Sequence, residues 1–350
     1  MLERVLYCFA LLAVLTGCSS KTPEIDIVCE RDDIGNYILK WETDPVITGI
    51  VKILVSDTPN SFSGSRAMFV KTEDQVTTYI TNNNVTRLYF QLCFNNKYKR
   101  VVSERMLNTT DIQNLRDVGG YYTANQRMLR WGMLFRSGQM IRTSVHDSLL
   151  MKELKLKTIV DLRAASEQQR IPLAYNAENM VSIPINAGQP MDAYRRMRNG
   201  QMKKGDGMVY MQDVYLKYVT ENTEQFARFF QLLLDEDNYP LLFNSSLGKD
   251  RVGFLTSLIM RVLNILPDEI EADYRATDRY LVKERMGYLV RGLNYDAQET
   301  LTLLLSTDLS WMDLAYNQID KEYGSFHEYV ANGLKLSEKD IRHLKEILLR

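Results

Sequence analysis

The stretch "LLFNSSLGKDRVGF", residues 241–254, holds the side chains best placed to do chemistry. An apolar run, Leu241 to Phe243, leads into Asn244, Ser245 and Ser246. Leu247, Gly248, Lys249, Asp250 and Arg251 follow, and a second apolar run, Val252 to Met260, continues without a break. The pattern predicts a buried strand, a tight polar loop and a helix that starts at the loop. Backbone N–H groups of such a loop converge on one point, and the helix N-terminus adds positive potential there. Gly248 lets the backbone come close to an anion. The planar fork of Arg251 can hold two oxygens at once, and Lys249 adds a point charge. Ser245, Ser246, Leu247, Gly248, Lys249, Asp250 and Arg251 therefore form a candidate cradle for phosphate. The plainer alternative is a strand-to-helix turn whose charges face water.

Turning an anion cradle into a catalyst requires a nucleophile. The four cysteines are Cys8, Cys18, Cys29 and Cys93, so cysteine chemistry is excluded from everything after residue 93. A serine hydroxyl starts at a far higher pKa than a thiol and needs an adjacent base or a metal to be activated. The three histidines, His146, His327 and His343, lie outside the loop. No H-E-x-x-H pattern or carboxylate cluster suggests a metal, so neither metal nor other cofactor is expected.

The elements that must position the loop can be read around it. "LKTIVDL" (156–162), "VSIPI" (181–185) and "PLLFN" (240–244) read as buried strands. "YLKYVTENTEQFARFFQLLLDE" has apolar residues at helical spacing and reads as one long helix. "LPDEIEADYRATDRYLVKERM" begins with proline and acids, as a helix start should. "LSEKDIRHLKEILL" offers Ser337 as the cap of a last helix. Strands interleaved with helices, then a run of helices, predict an α/β domain over residues 109–350 with a helical C-terminal part. "YRRMRNGQMKKGDG" (194–207) reads as a basic loop that either covers the cradle or is merely solvated. "FRSG" around Arg136 reads as core support, and Tyr121 and Tyr122 as packing residues.

Residues 25–107 have another texture. "NYILKWET", "GIVKILVS", "AMFVKT", "TTYITN" and "RLYFQLCFNN" are short, β-branched and aromatic-rich, and separated by turn residues. They predict a small all-β sandwich, similar in pattern to a fibronectin type III-like domain, with Trp41 in its core. Its partner cannot be named from sequence. Cys29 and Cys93 either form a disulfide or remain two buried thiols.

The N-terminus reads as a targeting signal. Arg4 precedes an apolar run, Val5 to Leu15, too short to span a bilayer comfortably, and "LTGC" ends at Cys18. "LTGCSS" resembles the lipobox of bacterial lipoproteins. That resemblance implies a signal peptide over 1–17, lipidation at Cys18, a tether over 18–24 and a place in the bacterial cell envelope, anchored to a membrane. The 350 residues carry 43 Lys+Arg against 44 Asp+Glu, a net charge of −1 that argues against a nucleic-acid partner.

Five segments occur in a telling order: "NLRDVGGYYTANQRMLRWGMLFRSGQM", "TIVDLRAASEQQR", "GKDRVG", "EADYRATDRYL" and "YGSFHEYVANGLKLSEKDI". Together they resemble the bacterial tyrosine-phosphatase-like family that includes lipid phosphatases, whose loop reads H-C-x-x-G-K-D-R-T-G. The resemblance implies a cysteine-phosphatase-like fold, a central sheet flanked by helices. It also implies a phosphorylated ligand, either a phosphotyrosine peptide or a phosphoinositide head group. The family's cysteine nucleophile falls on Ser245, its phosphoryl-binding arginine on Arg251, and its acid/base candidates on Asp250 and Asp161. The family histidine falls on Asn244, and the threonine after the arginine on Val252. All three departures serve the nucleophile, while Gly248, Lys249, Asp250, Arg251 and Gly253 are kept. The expectation is a phosphate-ester binder with impaired catalysis. The alternatives are an active phosphomonoester hydrolase using Ser245 or an activated water, and an envelope interaction protein with a relic loop.

Overall fold

The computed structural model describes residues 22–32, 34–64, 66–83 and 85–350. The signal segment 1–17 and the lipidation candidate Cys18 lie outside the described residues. Among the described residues, no helix is long and apolar enough to cross a membrane.

Among the described residues, seven strands build the N-terminal part: β1 (Glu24–Arg31), β2 (Tyr37–Asp44), β3 (Ile50–Ser56), β4 (Met68–Lys71), β5 (Val76–Tyr79), β6 (Tyr89–Phe94) and β7 (Tyr98–Ser103). They form two antiparallel sheets, ordered β1-β2-β5 and β4-β3-β6-β7. Alternation with period two decides what goes inside. Tyr37, Leu39 and Trp41 of β2 meet Val51 and Ile53 of β3 and Phe90, Leu92 and Phe94 of β6. Trp41 donates its indole N–H to Thr72 O at 2.8 Å and lies edge-on to Phe94. Two strands, β1 and β7, are not among the five read from sequence. The structure decides between the cysteine alternatives: Cys29 and Cys93 are free thiols. Cys29 faces the core between the sheets. Cys93 alternates with the core residues Leu92 and Phe94, so its side chain leaves by the opposite face. Burial pushes the Cys29 thiol well above its ordinary range.

The second part is α/β. Its chain order is β8 (Arg116–Asp117), β9 (Leu134–Ser137), α1 (Val145–Glu153), β10 (Thr158–Asp161), α2 (Ala165–Arg170), β11 (Asn179–Ser182) and α3 (Pro190–Arg198). Then come α4 (Asp206–Thr220), α5 (Thr223–Leu233), β12 (Leu241–Asn244), α6 (Arg251–Val262) and α7 (Pro267–Tyr280). The chain ends with α8 (Tyr295–Leu304), α9 (Leu309–Tyr323), α10 (Phe326–Glu328) and α11 (Glu338–Leu348). Strand order is β11-β10-β12-β9-β8; all neighbours are parallel except β8, which runs against β9. One face of the sheet places Leu134, Val160, Leu241 and Phe243 against the helical C-terminal core. The other places Phe135, Ile159 and Leu242 against Leu150 and Met151 of α1 and Leu154 just past its end. A sheet covered on both faces explains why β12 reads as an unbroken apolar run.

Three segment readings are corrected. The long helix is two, α4 and α5, and Asn222 between them turns its amide back to Lys217 O. The strand in "VSIPI" is β11, Asn179–Ser182, while Ile183 and Ile185 are buried beyond its end. Much of the supposed basic loop is helix: α3 runs to Arg198 and α4 starts at Asp206. The last helix is as expected, with Ser337 and Asp340 forming a reciprocal cap.

Candidate functional site

Register brings the site together. Asn244 at the end of β12 lies beside Asp161 of β10 and Ser137 of β9. The loop 245–250 leaves the carboxyl ends of these parallel strands, where open α/β sheets bind ligands. Gly248 sits at φ +67°, and a Cβ there would stand 2.4 Å from Ser137 O. No other residue fits that approach.

The loop carbonyls are tied from behind. Asn114 donates to Leu247 O at 3.3 Å and Gly248 O at 2.9 Å. Arg136 donates to Gly248 O at 2.8 Å, and Gln139 N to Ser246 O at 3.1 Å. Among the described residues, the amides of 246–250 donate to no protein acceptor, and the helical hydrogen bonds of α6 begin only with Phe254 N to Asp250 O. A row of N–H groups is thus left at a helix start, which is the physical requirement for an anion site.

Arg251 is buried, and its guanidinium is aimed by Glu167. Nη1 donates to Glu167 Oε2 at 2.8 Å and reaches Leu162 O and Ile185 O at 3.3 Å. Nη2 donates to the Ser246 hydroxyl at 2.7 Å, which in turn donates to Glu167 Oε1. Burial works to raise the Glu167 carboxyl, but Arg251 and the Ser246 hydroxyl bring it below the ordinary carboxylate range. Glu167 is the functional residue that sequence reasoning missed. Its only signal is its place within "DLRAASEQQR", on the first turn of α2.

The other candidates are engaged as follows. Ser245 is 2% exposed and donates its backbone N–H to Ser137 O at 3.3 Å. Lys249 is fully buried, 2.6 Å from Asp250 Oδ1, with its ammonium 5.2 Å from the centre of the Trp311 ring. Asp250 also accepts from the Tyr215 hydroxyl at 3.1 Å, and Tyr215 meets the Tyr274 hydroxyl at 2.7 Å. Asp161 accepts from Arg163 at 2.7 Å and, more weakly, from Asn244 Nδ2 at 3.4 Å. Asn244 Oδ1 is buried without a partner. Val252 packs in the apolar core. His146, His327 and His343 contact Asn108, Glu338 and Leu234, not the loop. Residues 185–188 rather than the basic stretch supply carbonyls beside Arg251.

A buried trio supports the loop's back wall. Arg116 and Arg136 both pair with Asp273 of α7, which also accepts from the Tyr121 hydroxyl at 3.2 Å. Burial would raise the Asp273 carboxyl, but the two guanidiniums hold it far below the usual range. Burial and the neighbouring Arg116 charge bring Arg136 down to about 10.

Comparison with known proteins identifies the family. The tyrosine phosphatase family model matches residues 107–350. A tyrosine-protein phosphatase homologue of Cupriavidus necator is 30% identical over 236 residues, which is 66% of this chain and 85% of that protein. The triple specificity protein phosphatase PtpB of Mycobacterium tuberculosis is 25% identical over 272 residues, 67% of this chain and 96% of that protein. Among solved structures, TpbA of P. aeruginosa aligns over 57% of this chain and 96% of its own, with 14% identity and a TM-score of 0.26. With seven tenths of its length matched by one family model, the chain belongs to the tyrosine phosphatase family.

Proposed function

We propose that this chain is an exported lipoprotein whose tyrosine-phosphatase domain binds a phosphate ester at residues 245–251 and turns it over poorly or not at all. One observation carries the reading. The cradle is complete, with its free amides and an Arg251 aimed by Glu167, yet among the described residues no side chain accepts from the Ser245 hydroxyl. No histidine reaches it, and the Asp250 carboxylate is held by Lys249 and Tyr215. A serine hydroxyl in that setting stays protonated at neutral pH, whereas a thiol under the same helix terminus would ionise. Ser245 stands in for the family cysteine, and Asn244 for its histidine. The ligand is a phosphotyrosine peptide or a phosphoinositide head group. The relative PtpB is named for triple specificity, which supports a choice among phosphate esters rather than one of them. The sandwich over residues 25–107 is a fibronectin type III-like module, and Cys18 carries the lipid that holds the chain in the cell envelope.

The test uses the full chain with an aryl phosphate, phosphoinositides and orthovanadate. The expected result is no turnover, together with thermal stabilisation by vanadate that disappears in Arg251→Ala. Turnover abolished by Arg251→Ala would establish the active enzyme instead. Neither turnover nor stabilisation would leave an interaction protein with a relic loop. Ser245→Cys with Asn244→His is expected to gain measurable aryl-phosphate hydrolysis, because the cradle that lowers a thiol pKa is still present.

A further inference from the structure

The family segment begins at residue 107, so the sandwich is an addition to it. A lipoprotein sandwich is easily taken for a spacer. The contacts between the two parts argue otherwise. Arg87, just before β6, is 7% exposed and reaches out of the sandwich. Its Nη1 pairs with the fully buried Asp117 of β8, and its Nη2 donates to Glu104 O. Its guanidinium lies 5.4 Å from the Trp131 ring centre and 5.9 Å from that of Phe135, both beyond the sandwich. Asp117 spreads the anchorage by accepting from Gly119 N and Gly132 N, each at 2.7 Å. The backbone is continuous here as well: Asp117 N donates to Arg105 O at 3.0 Å, and Met106 bridges Arg116.

Next to Asp117 in β8 stands Arg116, which holds Asn114 Oδ1 and Asp273. Asn114 is the side chain that ties down Leu247 O and Gly248 O. Arg136, opposite Arg116 in the register, ties Gly248 O as well. One short strand is therefore gripped by the sandwich through one residue and grips the loop through its neighbour. A contiguous chain of buried hydrogen bonds of this kind can transmit a change at one end to the other. Removing the partner of a buried carboxylate leaves an uncompensated charge, which the surrounding strand must move to relieve.

We propose that Arg87 of the sandwich is a positioning residue for the phosphate cradle, so that the sandwich braces the loop from outside the family domain. The effect on a ligand rests on the proposed phosphate-ester binding; the effect on the loop does not. The experiment compares the full chain with Arg87→Met and Arg87→Lys. It measures the Kd for orthovanadate well below the melting temperature and hydrogen exchange at the amides of Gln139 and Phe254, whose bonds to Ser246 O and Asp250 O tie down the two ends of the loop. The expected result for Arg87→Met is about tenfold weaker vanadate binding, within the usual range for coupled sites. Loop exchange should quicken while the amides of β2 and α9 keep theirs, and Arg87→Lys should recover part of both. A folded Arg87→Met chain with wild-type loop exchange overturns the proposal, as does a lower melting temperature with unchanged Kd and loop exchange. If Arg87→Met does not fold, Arg87→Met with Asp117→Asn removes both charges, and Arg87→Gln, which loses the charge but keeps a donor, decides if that chain also fails. Wild-type loop exchange in the variant that folds then overturns the brace. Wild-type chain that binds no vanadate would sink the phosphate-binding reading, while the exchange arm would still decide the brace.

Discussion

Glu167 and a bound oxyanion compete for the same guanidinium. In the unliganded chain the carboxylate supplies the negative charge that a buried Arg251 requires. Replacing it by an amide keeps the shape and removes the charge. Glu167→Gln is therefore expected to lower the melting temperature without ligand. The shift produced by saturating vanadate should be larger than in wild type, because the oxyanion then supplies the missing charge. A smaller shift would mean that Glu167 acts by aiming Arg251 rather than by neutralising it. The pH dependence has a definite sign. Because the folded-state pKa is lowered, the stabilisation by Glu167 is fully present above the ordinary carboxylate value and is lost as pH falls through the folded value. An acid titration of melting temperature should lose this component in Glu167→Gln.

At the scale of elements, the loop is only as good as the strand and helix behind it. Asp273 on α7 is the shared counter-ion of Arg116 on β8 and Arg136 on β9. Asp273→Asn leaves two buried guanidiniums with a neutral partner and should cost roughly 3–5 kcal/mol, read from urea unfolding at neutral pH. Its folded pKa is depressed, so the wild-type advantage should persist above the ordinary carboxylate range and vanish in strong acid. The sequence makes the front of this site legible and hides the back. Gly248, Lys249 and Arg251 announce an anion cradle because glycine, charge and a helix start fall within a few residues. Asn114 meets Gly248 across 134 residues of chain and Arg116 meets Asp273 across 157, and no local period marks such meetings. Strand β9 is hidden because it is four residues long and carries a fully buried arginine. Strand β1 is hidden by charges that alternate with its apolar residues. The break between α4 and α5 is hidden because Val219 and Phe226 stand seven residues apart, in phase for a single helix, on either side of the polar run Thr220 to Gln225.

For the whole molecule, the question is whether the sandwich and the α/β part unfold as one. Each has its own apolar core. A smaller cluster straddles the boundary: Tyr89 and Val101 come from the sandwich, and Met128 and Trp131 from the α/β part. Trp131 also donates its indole N–H to Val101 O at 2.9 Å. The C-terminus closes the same region, since Leu349 bridges Leu129 and Arg350 donates to Pro59 O of the sandwich at 3.0 Å. A shared apolar core with a buried ion pair beside it resembles the inside of a domain more than a contact between mobile ones. Calorimetry of the full chain should therefore show a single transition with matching calorimetric and van't Hoff enthalpies. Trp131→Ala removes the largest side chain of the shared cluster and one end of a cross-boundary hydrogen bond, at a cost of about 3–5 kcal/mol. That cost falls on the junction and leaves both main cores intact. The expected outcome is a split into two transitions, with the sandwich separating first because it has the smaller core. Two transitions already present in wild type would mean that the parts are linked but energetically independent. In that case a brace from sandwich to cradle would have no mechanical basis.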